Sequence, residues 1–339
     1  MRASARQALK SFRADSGAAF IIPTMLPLIH IVAGATSCGK SAVAMLLAAR
    51  SGSGLLAIDS MKLYRGLDIG TGKPSPAERA RVPHFLIDCR EPHESASVAD
   101  FLVAAETLIR NAGIPGSHVP PLIGEGGTAL YLKALCEGLF EGPGKDNDIR
   151  ARLEAEADER GSHALHERLK SVDPQAASKI LPTDPRRIVR ALEVFEITGR
   201  PIGEGQRPWG TARTDIDARI ACLDLPRAAL YPRIDRRIRA MLDAGWLDEC
   251  RRLLELNPPL SREARQALGY KTLFAHLRGE ISLDAARERI CFDTHHFARR
   301  QIHWFKKLPK TKFIHIADDE PAEAIAERVR QCWDSWDKA

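Results

Sequence analysis

The sequence predicts an α/β fold: a P-loop NTPase-like parallel sheet flanked by helices, with an all-helical insertion and a helical C-terminal part. Three observations predict it. Residues 34–41, Gly-Ala-Thr-Ser-Cys-Gly-Lys-Ser, fit G-x-x-x-x-G-K-[ST] between an apolar run, Leu28–Ala33, and a helix-compatible stretch, Ala42–Arg50. The first third alternates strand-length apolar runs with helical periodicity, which argues for parallel strands covered on both faces. From Asp146 to Thr198 no strand pattern occurs.

Taken in order, Leu28–Ala33 is expected as a strand, Ser41–Arg50 as a helix and Leu55–Asp59 as a second strand ending in an acid. His84–Asp88 reads as a third strand. Val98–Asn111 reads as a helix with Leu102, Ala105, Leu108 and Ile109 on one face. Pro121-Leu-Ile is a short fourth strand, and Ala129–Glu137 the next helix. Ile149–Arg160 and His163–Val172 are amphipathic. Asp184-Pro185 supplies an N-cap acid and an N1 proline for a helix over 186–198, stopped by Gly199. Arg219–Leu225 returns to strand character. Helices are then expected over 228–256, 268–278, 283–306 and 322–336, with a last strand at 313–316. The domain reading is a core from 27–143 and 213–339, an insertion over 144–212, and a dispensable N-terminal extension over 1–26. The extension is Arg/Lys- and Ala/Ser-rich. It could also be a transit peptide or upstream sequence read from an early start codon, since the fold can begin at Met25.

Composition bounds the function. Among 339 residues, 44% hydrophobic content suits a globular protein, and no apolar run reaches membrane-spanning length. Seven scattered cysteines with no C-x-x-C pair suggest reduced cytoplasmic thiols. The net charge of +6 is uneven: Arg287–Lys312 holds eight Lys/Arg against two acids, interleaved with Phe292, Phe297, Trp304 and Phe305. That pattern permits an RNA partner, and a solvated helix face is the plainer alternative.

The chemistry-bearing residues start with Gly34, Ala35, Thr36, Ser37, Cys38, Gly39, Lys40 and Ser41. Backbone amides and a helix N-terminus there face an anion, Lys40 adds a charge, and the Ser41 hydroxyl can hold Mg²⁺. Asp59, at the carboxyl end of the second strand, is aimed at the ligand crevice of such sheets. It can hold a metal, take a proton from a nucleophile, or cap a turn. In the glycine-rich run 65–74, Lys73 could reach an anion. Gly126-Gly127-Thr128 suits phosphate binding or helix capping. Arg233 and Arg237 share one helix face, a geometry suited to diphosphate or RNA phosphate. Arg299, Gln301 and Trp304 have the spacing to contact and stack on a base, or to form a half-buried helix face.

These segments, ordered from about Leu28 to Lys307, resemble the tRNA dimethylallyltransferase (tRNA isopentenyltransferase) family. They are the phosphate loop, 59–74, 82–88, 126–135, 184–194, 266–271 and 299–304. The resemblance implies transfer of the dimethylallyl group of dimethylallyl diphosphate to the exocyclic amine of the adenosine 3′ to the anticodon, with Mg²⁺ at Ser41. It implies Asp59 as general base, Arg233 near the diphosphate and Thr128 near substrate. It places Ser60, Met61, Lys62, Arg150, Arg186, Arg187, Ile188, Val189, Arg190, Gln266, Gly269, Tyr270, Lys271, Arg299, Arg300, Gln301, Trp304 and Lys306 on the tRNA side. The insertion would grip the anticodon stem-loop, and a cytoplasmic monomer is expected. Two departures stand out. Cys38 offers an oxidation-sensitive thiol in the loop. Glu125 replaces an apolar strand residue, and beside a diphosphate it must point away or bind Mg²⁺. The competing function is a nucleoside-type kinase using ATP. A prenyltransferase of free adenine nucleotides and a non-catalytic RNA-binding protein are further alternatives.

Overall fold

A computed structural model describes residues 26–139, 142–205 and 213–336. The expected N-terminal extension, Met25 included, lies outside them except for Leu26. The chain divides into two compact units: its first part through Glu137 together with the part from Ala212 onward, and Gly138–Thr211.

The first unit is built on six strands: β1 (Leu28–Gly34), β2 (Gly54–Ile58), β3 (His84–Phe85), β4 (Leu122–Gly126), β5 (Asp217–Asp224) and β6 (Thr311–His315). Their order is β3-β2-β4-β1-β5-β6, and every pairing is parallel. Every residue of β2 and β4 is buried, as strands covered on both faces require. Helices α1 (Lys40–Ser51), α2 (Pro76–Arg81) and α3 (Val98–Asn111) connect the first four strands, and α4 (Ala129–Glu137) follows β4. After β5 come α9 (Arg227–Asp243), α10 (Trp246–Leu254), α11 (Tyr270–Leu277) and α12 (Leu283–Phe305), and α13 (Ala322–Asp334) follows β6. One core joins Val32, Val43, Leu47, Leu223, Ile234, Trp246, Tyr270 and Ile290.

The second unit contains α5 (Asn147–Arg160), α6 (Ser162–Val172), α7 (Pro174–Ala177) and α8 (Pro185–Thr198). Leu153, Leu165, Leu169, Ile188, Val189 and Leu192 form its core. Asp146 caps α5 and Asp184 caps α8, while Gly199, at φ 69°, closes α8 in the left-handed conformation.

The structure differs from the sequence reading in four places. The third strand stops at Phe85 because Leu86 and Asp88 take left-handed φ values of 60° and 55°. The fourth strand runs on through Glu125 to Gly126, since its glycines allow close approach of the neighbouring strands. The helix expected over 228–256 is two helices, parted at Ala244-Gly245, where Gly245 has φ 95°. The short helices α2 and α7 have too few residues to show periodicity. Among the described residues, no helix is long and apolar enough to cross a membrane.

Gly126 is where strand packing is least forgiving: a Cβ there would lie 2.1 Å from the Ile58 carbonyl oxygen. Gly126→Ala should therefore cost about 1–3 kcal/mol of stability, read from the urea unfolding midpoint. An unchanged midpoint would show that β2 and β4 can separate at this point without cost.

Candidate active site

The phosphate loop joins β1 to α1 at the carboxyl edge of the sheet. No side chain caps the first turn of α1, whose N-cap is Gly39 at φ 94°, so its leading amides are directed outward for an anion. Lys40 Nζ lies 3.5 Å from the Ala35 carbonyl, folded back along the loop. Thr36 N donates to Gln301 Oε1 at 2.9 Å, and Gln301 Nε2 donates to the Gly127 carbonyl at 2.7 Å. Gln301 is buried and uses both ends of its amide to tie the loop to the turn after β4. It therefore braces the loop, which agrees with the buried helix face that its spacing also allows and not with contact to a base. Cys38 is buried as well, and burial pushes its thiol above the ordinary range. The expected oxidation sensitivity is corrected accordingly, since reactivity needs an exposed, low-pKa thiol.

Asp59 leaves β2 beside this loop. Its Oδ1 accepts the amides of Met61 at 2.8 Å and Lys62 at 3.2 Å, which fixes the carboxylate in a turn. Thr128 N donates to the Ile58 carbonyl at 3.3 Å, and Thr128 Oγ1 accepts Ser60 N at 3.1 Å. Thr128 thus locks the Asp59 turn to the start of α4.

Glu125 faces the loop from β4. Ser41 Oγ donates to its Oε1 at 2.8 Å, and Lys62 Nζ lies 3.2 Å from its Oε2. Burial pushes this carboxyl up, but the charges of Lys62 and Lys40 and the bonds from Ser41 and Lys62 outweigh it. Its pKa settles at about 2, against 4.5 ordinarily. Lys62, expected on the tRNA side, is buried in this pair. The exposed Ser41 hydroxyl, backed by a carboxylate, is a hard-oxygen environment that fits Mg²⁺ completed by diphosphate oxygens and water.

Two arginines of α9 approach the loop. Arg237 is half-buried and reaches Thr36 Oγ1 at 3.5 Å; desolvation lowers its pKa while Asp59 and Glu125 oppose that fall. Arg233 Nη1 lies 3.9 Å from where a side chain on Gly39 would begin, but its Nε is paired with Asp318 Oδ1 at 2.5 Å.

The glycine-rich run is held from behind. Lys73 Nζ donates to the Tyr64 carbonyl at 2.5 Å, Asp68 Oδ1 at 2.7 Å and Asp88 Oδ1 at 2.6 Å. All three ammonium protons are thereby engaged, and Lys73 is a structural pin, not an anion ligand. Glu249 of α10 accepts the amides of Asp68, Ile69 and Gly70 at 3.0, 2.8 and 3.4 Å and the Tyr270 hydroxyl at 2.6 Å. Trp246 packs on Gly70, where a Cβ would meet its Nε1 at 2.2 Å. Sequence reasoning missed Glu249: nothing local marks it apart from its neighbour Asp248.

Of the residues expected to meet RNA in this unit, Gln266, Lys271, Arg299, Arg300, Trp304 and Lys306 are exposed, whereas Gly269 and Tyr270 are buried. Arg299, Arg300, Trp304 and Lys306 line a basic pocket of about 380 Å³ with Arg227 and His303. Lys133 Nζ sits 5.6 Å from the centre of a Trp304 ring. In the second unit, Arg186 and Arg187 are exposed and Ile188 and Val189 are core. Arg150 and Arg190 pair with the buried Glu193 at 2.6 and 2.7 Å.

The model of the family described as IPP transferase matches residues 62–308. This chain belongs to that family. It is 41% identical over 290 residues to tRNA dimethylallyltransferase 1 of Trichlorobacter lovleyi, covering 86% of this chain and 94% of that protein. It is 42% identical over 317 residues to a tRNA dimethylallyltransferase of Roseiflexus sp., covering 92% of this chain and all of the relative. The crystal structure of the tRNA isopentenylpyrophosphate transferase of Bacillus halodurans matches the fold with a TM-score of 0.64 at 32% identity, over 92% of this chain and 97% of that one.

The depressed pKa of Glu125 has a consequence for stability. The folded state favours its ionised form, so its contribution is complete above pH 4.5 and declines as pH falls toward about 2. Urea unfolding should weaken across that window more steeply in the wild type than in Glu125→Gln. Parallel pH dependences would show that Glu125 does not hold its proton this weakly.

Proposed function

We propose that this protein transfers the dimethylallyl group of dimethylallyl diphosphate to the exocyclic amine of the adenosine 3′ to the anticodon in tRNA, releasing diphosphate. The observation that carries the reading is the convergence of a fixed carboxylate, Asp59, with an outward-facing phosphate loop in a chain whose relatives over nine-tenths of its length are tRNA dimethylallyltransferases.

In this reading the loop amides, Lys40 and the Arg237 guanidinium bind the donor's diphosphate. Bound Mg²⁺ at Ser41 would supply charge to offset the departing diphosphate. A bond forms from the adenine amine nitrogen to the first carbon of the dimethylallyl group, and that carbon's bond to the diphosphate oxygen breaks. The amine's surplus proton passes to Asp59, whose position the Met61 and Lys62 amides fix, and then to water. The target base has to leave the anticodon-loop stack to reach Asp59. The exposed Arg299, Arg300, Trp304 and Lys306 offer charge and a stacking face to the RNA. The exposed Arg186 and Arg187 of the second unit offer charge for the anticodon stem-loop. We infer that the working protein is a cytoplasmic monomer.

Labelled dimethylallyl diphosphate mixed with the protein and an unmodified tRNA bearing an A-rich anticodon loop should place label in RNA at that adenosine. RNA that stays unlabelled would overturn the reading, as would ATP consumption without tRNA. Asp59→Asn should lower kcat by about 10²–10⁴ with diphosphate affinity retained, measured by single-turnover transfer and by calorimetry. Full activity in that variant would remove Asp59 from the proton-accepting role.

A further inference from the structure

The buried acid on β4 has no part in the scheme above, and its position is unusual. The family resemblance implies an apolar residue at this position of the strand. Here the register pairs Glu125 with Val32 of β1 and Ala57 of β2, directly beneath the phosphate loop. It is 4% exposed, whereas Ser41, which it touches, opens to solvent. A serine hydroxyl has one proton and two lone pairs, and its proton rotates to suit its surroundings. With that proton committed to Glu125 Oε1 at 2.8 Å, the lone pairs of Ser41 are turned away from β4, toward the space where the loop amides point. The other carboxylate oxygen, Oε2, is held by Lys62 Nζ at 3.2 Å, so each oxygen has its own partner. A carboxylate behind the loop would repel a diphosphate in front of it, and a cation seated between two anionic groups is drawn by both.

We propose that Glu125 is a positioning residue for a divalent cation at the phosphate loop: it fixes the Ser41 hydroxyl and adds the negative charge that holds the cation there. Lys62 is the internal cation that competes for this charge. Among the described residues no three His, Cys, Asp or Glu side chains gather to hold a metal by themselves. The cation therefore depends on Ser41, water and diphosphate oxygens, the ligand set that Mg²⁺ prefers. In such a sparse site the group orienting the one protein ligand carries much of the affinity. The inference rests on the diphosphate reading of the loop.

Mn²⁺ binding to the full chain with inorganic diphosphate, followed by the electron paramagnetic resonance signal of free Mn²⁺, tests it apart from catalysis. Glu125→Gln and Glu125→Val should each weaken Mn²⁺ about 10–100-fold. Both should bind diphosphate without metal at least as tightly as the wild type, because a repelling carboxylate is gone. Unchanged Mn²⁺ affinity in the two variants would overturn the proposal and leave Glu125 as a partner for Lys62 alone. Should neither variant fold, Lys62→Met decides. Removing the competing ammonium should tighten Mn²⁺, and equal or weaker binding overturns the proposal. Wild type that binds diphosphate without drawing in Mn²⁺ overturns this inference only. Wild type that binds no diphosphate, with or without Mn²⁺, removes the donor-site reading as well.

Discussion

The ends of β1, β2 and β4 have to be held within hydrogen-bond reach of one another, and the chemistry of the protein depends on that junction. Thr128 closes it from one side, donating its amide to the Ile58 carbonyl and accepting Ser60 N on its hydroxyl. Gln301 closes it from the other, spanning Thr36 N and the Gly127 carbonyl. Gln301 comes from α12, 265 residues beyond Thr36, so the last long helix of the fold is what orients the first loop. A parallel sheet makes this possible because its strands all deliver their carboxyl ends to the same edge.

A second layer of buried polar groups keeps the neighbouring segment in shape. Lys73 and Glu249 carry opposite charges and do equivalent jobs, each saturating the polar atoms of the loop over residues 64–70 from opposite sides. A glycine-rich segment loses much conformational entropy on ordering, so it needs such anchors to stay fixed. Trp246 adds an apolar plate over Gly70, and Tyr270 stands edge-on to it at 5.5 Å between ring centres.

Features whose chemistry is local were legible in the sequence. The loop between β1 and α1 is a backbone feature with one lysine, so its pattern of glycines and flanking elements declares its shape. Asp59 was legible because strand ends in such sheets have a known direction. The caps Asp146 and Asp184 were legible because capping is a near-neighbour interaction. What stayed hidden depends on which side of an element turns inward. Glu249 lies about 180 residues from the amides it serves and sits beside the exposed Asp248. Gln301 has a neighbour, Arg300, on the open face, and only the helix's docking decides that the glutamine points inward. Glu125 was visible as an oddity, but its two partners come from the start of α1 and the turn after β2, and no spacing rule links 41, 62 and 125.

The ties of Arg233 to Asp318 and of Lys62 to Glu125 mean that two cations near the loop are already neutralised from within the protein. The cations left to face an arriving anion are Lys40 and Arg237, which contact a carbonyl and a hydroxyl and no carboxylate among the described residues. A diphosphate can answer several such donors at once. Those two ion pairs hold Arg233 and Lys62 in set places beside the loop before any ligand binds.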